Sequence, residues 1–162
     1  MPEVNLIDVE ASGLDNDSYP IEIAIWIGGA MHSWLIQPEP EWTHWDEVAE
    51  GLHGISREQL RREGKPVHLV ADELNRLCAG ATLYSDAPAW DGEWVRTLFR
   101  ATLVAQELSI EDICERLPGQ SWVRFMRKLE EFKQDATRTR HRAAADVQMM
   151  LEAYRYATEA AD

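Results

Sequence analysis

The chain has 162 residues, 45% of them hydrophobic and 28% charged, and a net charge of −13. That length and balance fit a single globular domain spanning residues 1–162 with a sizeable core, and they exclude a disordered chain. The acidity excludes a protein that coats long nucleic acid through a broad basic surface.

The opening "MPEVNL" has no basic region and no long apolar stretch, and no apolar run approaches the ~20 residues of a membrane span. The expectation is a cytoplasmic protein with no signal peptide and no membrane partner. Cys78 and Cys114 lie far apart in no metal-ligand spacing and read as reduced core thiols.

In chain order, the first strand is expected over residues 3–9. "IEIAIWI" (21–27) and "MHSWLIQ" (31–37) are two more, joined at Gly28-Gly29, a pair that supplies the positive φ of a tight antiparallel hairpin. "PEPEW" breaks regular structure. Ser56 is placed to cap a helix over "SREQLRRE" (56–63). Apolar residues at Val67, Val70, Leu74 and Leu77 predict a helix ending at Gly80. "ATLYSD" (81–86) reads as a strand and "DGEWVRTLFRATL" (91–103) as a helix with Asp91 near its start. A short strand or turn follows around 108–113, then helices over 121–133 and from about 141 to 160. Antiparallel strands followed by alternating helix and strand predict an α/β fold with a mixed sheet. The glycine-rich dinucleotide and P-loop motifs are absent.

Charge is uneven along the chain. Residues 121–142 hold seven basic and three acidic residues, a local +4 against −17 elsewhere. This is either a solvated helix and loop or a local phosphate-facing patch. Among the seven tryptophans, Trp26 and Trp34 read as core. Trp42, Trp45 and Trp90 suit loop anchoring or core packing, with base stacking as the alternative.

The stretch "NLIDVEASGL" (5–14) carries Asp8 and Glu10 inside an apolar strand. Residues two apart share a face, so the two acids point together about 7 Å apart. Burying an ionised carboxylate without a partner costs several kcal/mol. Either the strand is an exposed edge with solvated acids, or a hard divalent cation such as Mg²⁺ or Mn²⁺ sits between them. They precede "ASGL", at the carboxyl end of the strand where ligands of open α/β sheets bind. Two further acids, Asp86 and Asp91, sit where a strand ends and a helix begins in "YSDAPAWDGEWV" (84–95). His141 and Asp146 open the last helix in "HRAAADVQMMLEAY" (141–154); a surface histidine is the competing reading there.

Together these pieces resemble the DEDDh family of 3′→5′ exonucleases, which includes proofreading exonucleases, oligoribonuclease and RNase T. "DVEASGL" matches the family's first motif, Asp-x-Glu-x-(Thr/Ser)-Gly-Leu, at Asp8, Glu10, Ser12, Gly13 and Leu14. "HRAAAD" matches its third, His-x-Ala-x-x-Asp, at His141, Ala143 and Asp146. In the looser second motif Asp86 stands where an Asn usually does and Asp91 where the metal ligand does. Asp91 is therefore assigned as the ligand, with Asp86 as the alternative. "HGISREQL" (53–60) is similar to a segment between the family's third strand and first helix.

The resemblance implies an RNase H-like fold: a mixed five-stranded sheet flanked by helices. It implies a metal-dependent 3′→5′ exonuclease with two divalent ions, Mg²⁺ or Mn²⁺, about 3.5–4 Å apart. Asp8, Glu10, Asp91 and Asp146 would hold them and His141 would act as base. Ser12, Gly13 and Leu14 would contact the terminal nucleotide, and Arg138, Arg140 and Arg142 upstream phosphates. DNA or RNA 3′ ends are the expected partners, and a homodimer is an open alternative because some members of the family are dimers. Competing functions are a phosphohydrolase of short oligo- or dinucleotides, or a catalytically silent nucleic-acid or protein-interaction module.

Overall fold

The computed structural model describes residues 3–159. β1 (Leu6–Ala11), β2 (Pro20–Ile27) and β3 (Ala30–Leu35) open the chain. Then come α1 (Glu47–His53), α2 (Arg57–Glu63), α3 (Val67–Cys78), β4 (Thr82–Ser85), α4 (Pro88–Thr102), β5 (Ser109–Asp112), α5 (Gln120–Gln134) and α6 (Ala143–Glu159). The strands form one mixed sheet in the order β3-β2-β1-β4-β5. β1–β2 and β2–β3 are antiparallel, while β1–β4 and β4–β5 are parallel. The mixed five-stranded sheet flanked by helices is the architecture expected from the sequence.

Gly28 and Gly29 both have positive φ, 58° and 79°, as the two-residue β2–β3 hairpin requires. Strand alternation sorts the core into two layers. Ile7, Val9, Ile23, Ile25 and Leu83 face α3 and α4. Leu6 and Ala24 face α5 and α6, against Phe125, Leu129, Val147 and Met150. By the same alternation Asp8 and Glu10 share the α6 side with Leu6, and Glu22 shares it with Ala24. The β1–β2 register slips between Glu10 and Ala11, so the strand bends away just beyond its second acid.

Boundaries differ where local chemistry overrides periodicity. α4 starts at Pro88, three residues before Asp91, because proline suits a first helical turn. Asp91 therefore lies inside that turn. α6 starts at Ala143, which leaves His141 on the loop before it. Residue 160, the expected end of α6, lies outside the described residues. Ser56 caps α2 by accepting from the Gln59 amide at 3.1 Å. α1 is an element the sequence pattern does not predict. Its Asp46 cap accepts from Val48 N–H at 2.8 Å and Gly54 ends it at φ 70°, while Val48 and Leu52 face outward. Cys78 is a free thiol in the core; Cys114, also free, is half-buried in the turn after β5.

Candidate active site

A pocket of about 280 Å³ opens at the carboxyl ends of β1 and β4, beside the start of α6. Asp8, Glu10, Asp91, Asp146 and His141 all line it. β1 supplies the first two acids, the first turn of α4 the third, and the first turn of α6 the fourth. Three segments separated by up to 138 residues of chain thus converge on one cavity.

The acids repel one another and are poorly hydrated. Asp8 Oδ2 is buried with no hydrogen-bond partner among the described residues. Burial first, then the charges of Asp91, Asp146, Glu10 and Asp86, hold the Asp8 carboxyl well above its ordinary range. Burial and the charge of Asp146 push Glu10 up to about 8. Burial carries Asp91 to about 7, against the opposing pull of the Ser85 hydroxyl. Burial likewise carries Asp146 to about 6, against hydrogen bonds from Glu10 and the His141 amide.

Glu10, His141 and Asp146 each present a ligand atom within 4.8 Å of the other two. Asp8 and Asp91 stand outside that trio. Asp91 is instead held by Ser85, whose hydroxyl donates to its Oδ2, and by the Val9 amide. An orphaned buried carboxylate oxygen among three further acids is a donor set that fits hard divalent cations. His141 adds one nitrogen donor. Burial, then the positive charges of Arg140 and Lys133, lower its pKa, so the imidazole is neutral at neutral pH.

Asp86 also lines the pocket, but its carboxylate accepts from Lys133 Nζ at 3.0 Å. Asp91 is 2% exposed, and among the described residues it enters no ion pair. Ser12 is fully buried: its hydroxyl accepts from the Tyr19 amide at 3.2 Å and bonds His44 Nδ1 at 3.0 Å. Gly13 sits where a Cβ would lie 2.6 Å from His44 Cε1 and 2.9 Å from Asp46 Cβ, so only glycine lets the α1 loop close on it. Leu14 is 67% exposed and faces both this pocket and a second, apolar one of about 260 Å³. Val48, Leu52 and Trp94 line that second pocket, which shares Glu10 and His141 with the first.

The three arginines around His141 diverge. Arg138 pairs with Glu152 at 2.9 Å and lies 3.8 Å above the Phe132 ring. Arg142 pairs with Glu22 at 2.8 Å. Arg140 lines the acidic pocket, its guanidinium donating to the Lys133 carbonyl at 2.8 Å. The basic segment is therefore largely spent on internal pairs, and Lys133 and Arg140 carry its charge to the pocket.

Ser85 and Glu22 are absent from the sequence reading, and Lys133 enters it only as one of the basic residues of 121–142. Ser85 and Lys133 act through neighbours that only the fold provides. Glu22 does carry a sequence signal: it is the one charge within "IEIAIWI", the same kind of oddity that singles out Asp8. Trp90 and Trp94, one helical turn apart, stack at 5.4 Å along the wall of the pocket.

Comparisons with known proteins place the fold. The chain is similar to Escherichia coli exonuclease I in a zinc-bound complex with single-stranded DNA, with a TM-score of 0.71 at 14% identity over 98% of this chain and 41% of that one. It is similar to exonuclease I of Methylocaldum szegediense, with a TM-score of 0.70 at 16% identity over 98% and 40%. The E. coli enzyme with a 13-nucleotide thymidine oligonucleotide gives 0.72 at 14% over 99% and 42%. The chain thus has the RNase H-like fold of these enzymes and spans about two fifths of their length. No family model matches it. No curated protein sequence matches it either. No helix among the described residues is long and apolar enough to cross a membrane.

Proposed function

We propose that this protein is a metal-dependent 3′→5′ exonuclease that releases nucleoside 5′-monophosphates from single-stranded or 3′-overhang nucleic acid. The observation that carries this is the convergence of Asp8, Glu10, Asp91 and Asp146 beside His141, with Asp8 Oδ2 buried and unpartnered. Those four carboxylates would hold two divalent ions, Mg²⁺ or Mn²⁺. When bound, the ions supply Lewis-acid stabilisation of charge on the phosphate oxygens and offset the site's own negative charge.

The rest is done by the chain. A ring nitrogen of neutral His141 takes a proton from the attacking water. The water oxygen bonds to phosphorus, the bond from phosphorus to the preceding nucleotide's 3′ oxygen breaks, and that oxygen takes a proton from solvent water to become the new 3′-hydroxyl. The 5′-phosphate stays with the departing nucleotide. Leu14 and the apolar pocket beside it receive the terminal base, and the backbone at Ser12 and Gly13 faces its sugar. Arg140 brings positive charge to the phosphate, while the charge of Lys133 is met by Asp86. Asp91 is the second-motif ligand, because Asp86 is engaged by Lys133.

Short substrates form a second reading. Arg138 and Arg142 are committed to Glu152 and Glu22, so little cationic surface is left to follow a long strand. A 5′-labelled panel of single-stranded DNA, single-stranded RNA, 3′-overhang duplex and dinucleotides, with Mg²⁺ or Mn²⁺, tests both. Shortening from the 3′ end is expected. Turnover of dinucleotides alone would favour the short-substrate enzyme, and no shortening with either metal would favour a silent binding module.

A further inference from the structure

We propose that Glu22 is a positioning residue for the active site: it anchors the start of α6 and thereby sets the place of His141. Glu22 is the third residue of β2, 4% exposed, directly across from Glu10 in the β1–β2 register. Neither pocket that meets at the site counts it among its lining residues.

Both of its oxygens are used on the segment that carries His141. Oε1 accepts from the Ala143 amide at 3.1 Å, and Oε2 accepts from Arg142 Nε at 2.8 Å. Ala143 is the first residue of α6, whose opening amides have no partner within the helix. A buried carboxylate there meets both the free amide and the positive end of the helix dipole. Glu22 is thus a helix cap delivered across the fold from a strand 121 residues earlier.

His141 needs such an anchor. Its φ is 56°, a left-handed conformation that a non-glycine residue keeps only where its surroundings impose it. Two acids impose it. Asp146 Oδ2 accepts from the His141 amide at 3.1 Å, and Glu22 holds the next two residues. Asp146 also belongs to the trio of ligand atoms with Glu10 and His141, so its oxygens face competing demands. The oxygens of Glu22 face none, and its hold on the loop persists whatever occupies the pocket.

Glu22 affects turnover only under the exonuclease reading, so the test needs one readout that does not depend on activity. The first is amide hydrogen exchange on the metal-free 162-residue protein. Glu22→Ala should speed exchange of the Ala143 and His141 amides at least about tenfold and leave Ile25 in β2 unchanged; Glu22→Gln, which keeps an acceptor, should restore Ala143. The second is kinetics on a labelled oligonucleotide with Mn²⁺. Glu22→Ala should lower kcat by about a hundredfold, the effect expected of a roughly 1 Å misplacement, with KM within about twofold. Glu22→Gln should recover most of that loss. Unchanged exchange at His141 in Glu22→Ala would overturn the anchoring role. Faster exchange with kcat unchanged would overturn the link to catalysis. A wild-type protein without turnover would end the exonuclease reading, while the exchange result would still decide whether Glu22 anchors the loop.

Discussion

The Ser85 hydroxyl donates to Asp91 Oδ2 at 2.5 Å, across the junction between β4 and α4. The same hydroxyl accepts from the Ala87 amide at 2.8 Å, so it is fixed at both ends. Asp91 is thereby turned inward to the pocket, while Asp86, next along the chain from Ser85, is drawn off by Lys133. The two aspartates should respond differently to substitution. Asp91→Ala should abolish cleavage of a labelled oligonucleotide, whereas Asp86→Asn should cost no more than about tenfold, as for a residue behind the ligands. Equal, mild losses would mean that neither is a ligand.

Acid crowding should make the metal-free protein less stable as pH rises. Glu10, Asp91 and Asp146 have folded-state values of about 8, 7 and 6, all above their ordinary carboxylate range. The folded state therefore binds more protons than the unfolded one over this range. The stability this confers is complete below about pH 4, the ordinary carboxylate range, declines above it, and is gone once pH has passed about 8. The melting temperature in a chelator should fall steadily from about pH 5.5 to about pH 8.5, and Mn²⁺ should flatten that slope by neutralising the cluster. A chelated protein whose melting temperature is level across the window would show that the acids do not repel one another as placed.

Asp8→Asn should trade function for stability. Its carboxyl is held far above its usual range by burial and by neighbouring charge. Replacing the buried acid with a neutral amide removes that penalty and should raise the melting temperature of the chelated protein at pH 8, while cleavage disappears and the metal-induced rise in melting temperature shrinks. A variant that is less stable than wild type in chelator and still cleaves would contradict both halves.

Gly13→Ala should damage the loop without altering any of the four pocket carboxylates. The added methyl would meet Asp46 Cβ at 2.9 Å and the His44 ring at 2.6 Å. The His44 ring is itself tied to Ser12 and Asp15, so it has little room to give way. Overpacking of this kind costs about 1–3 kcal/mol. Chemical denaturation should show a loss of that order, and Ser12→Ala should add little when combined with it, because both act on one network.

Arg140→Ala separates the pocket-facing arginine from its neighbours. It should raise KM by up to about tenfold, the worth of one charged hydrogen bond to phosphate, with stability nearly unchanged. Arg142→Ala should instead lower stability by about 2 kcal/mol, because it strips Glu22 of its charged partner. Denaturation curves and steady-state kinetics on the same two variants read the difference.

Much of the fold is legible because its signals are local. Two glycines in succession announce the hairpin, and Val67, Val70, Leu74 and Leu77 announce α3. Asp8 and Glu10 stand out because charge inside an apolar strand needs a cause. α1 escapes because it is seven residues long with Gly51 inside it, too short for a helical period to stand out. Glu22 stands out as the one charge within "IEIAIWI", but its partners, Arg142 and the Ala143 amide, lie 120 and 121 residues further on, and only the fold brings them to it. Arg138 and Arg142 show that closeness to His141 in sequence carries no direction. The turn into α6 sends one to Glu152 and the other to Glu22.

The stacked indoles of Trp90 and Trp94 give the cavity an intrinsic fluorophore. Trp90 is 43% exposed at the mouth while Trp94 is 7% exposed behind it, so one ring samples solvent and its mate does not. Quenching of the outer ring by a paramagnetic ion or a stacked nucleobase would signal occupancy without any label. Under the proposed function, filling of the pocket would then be readable optically, separately from turnover.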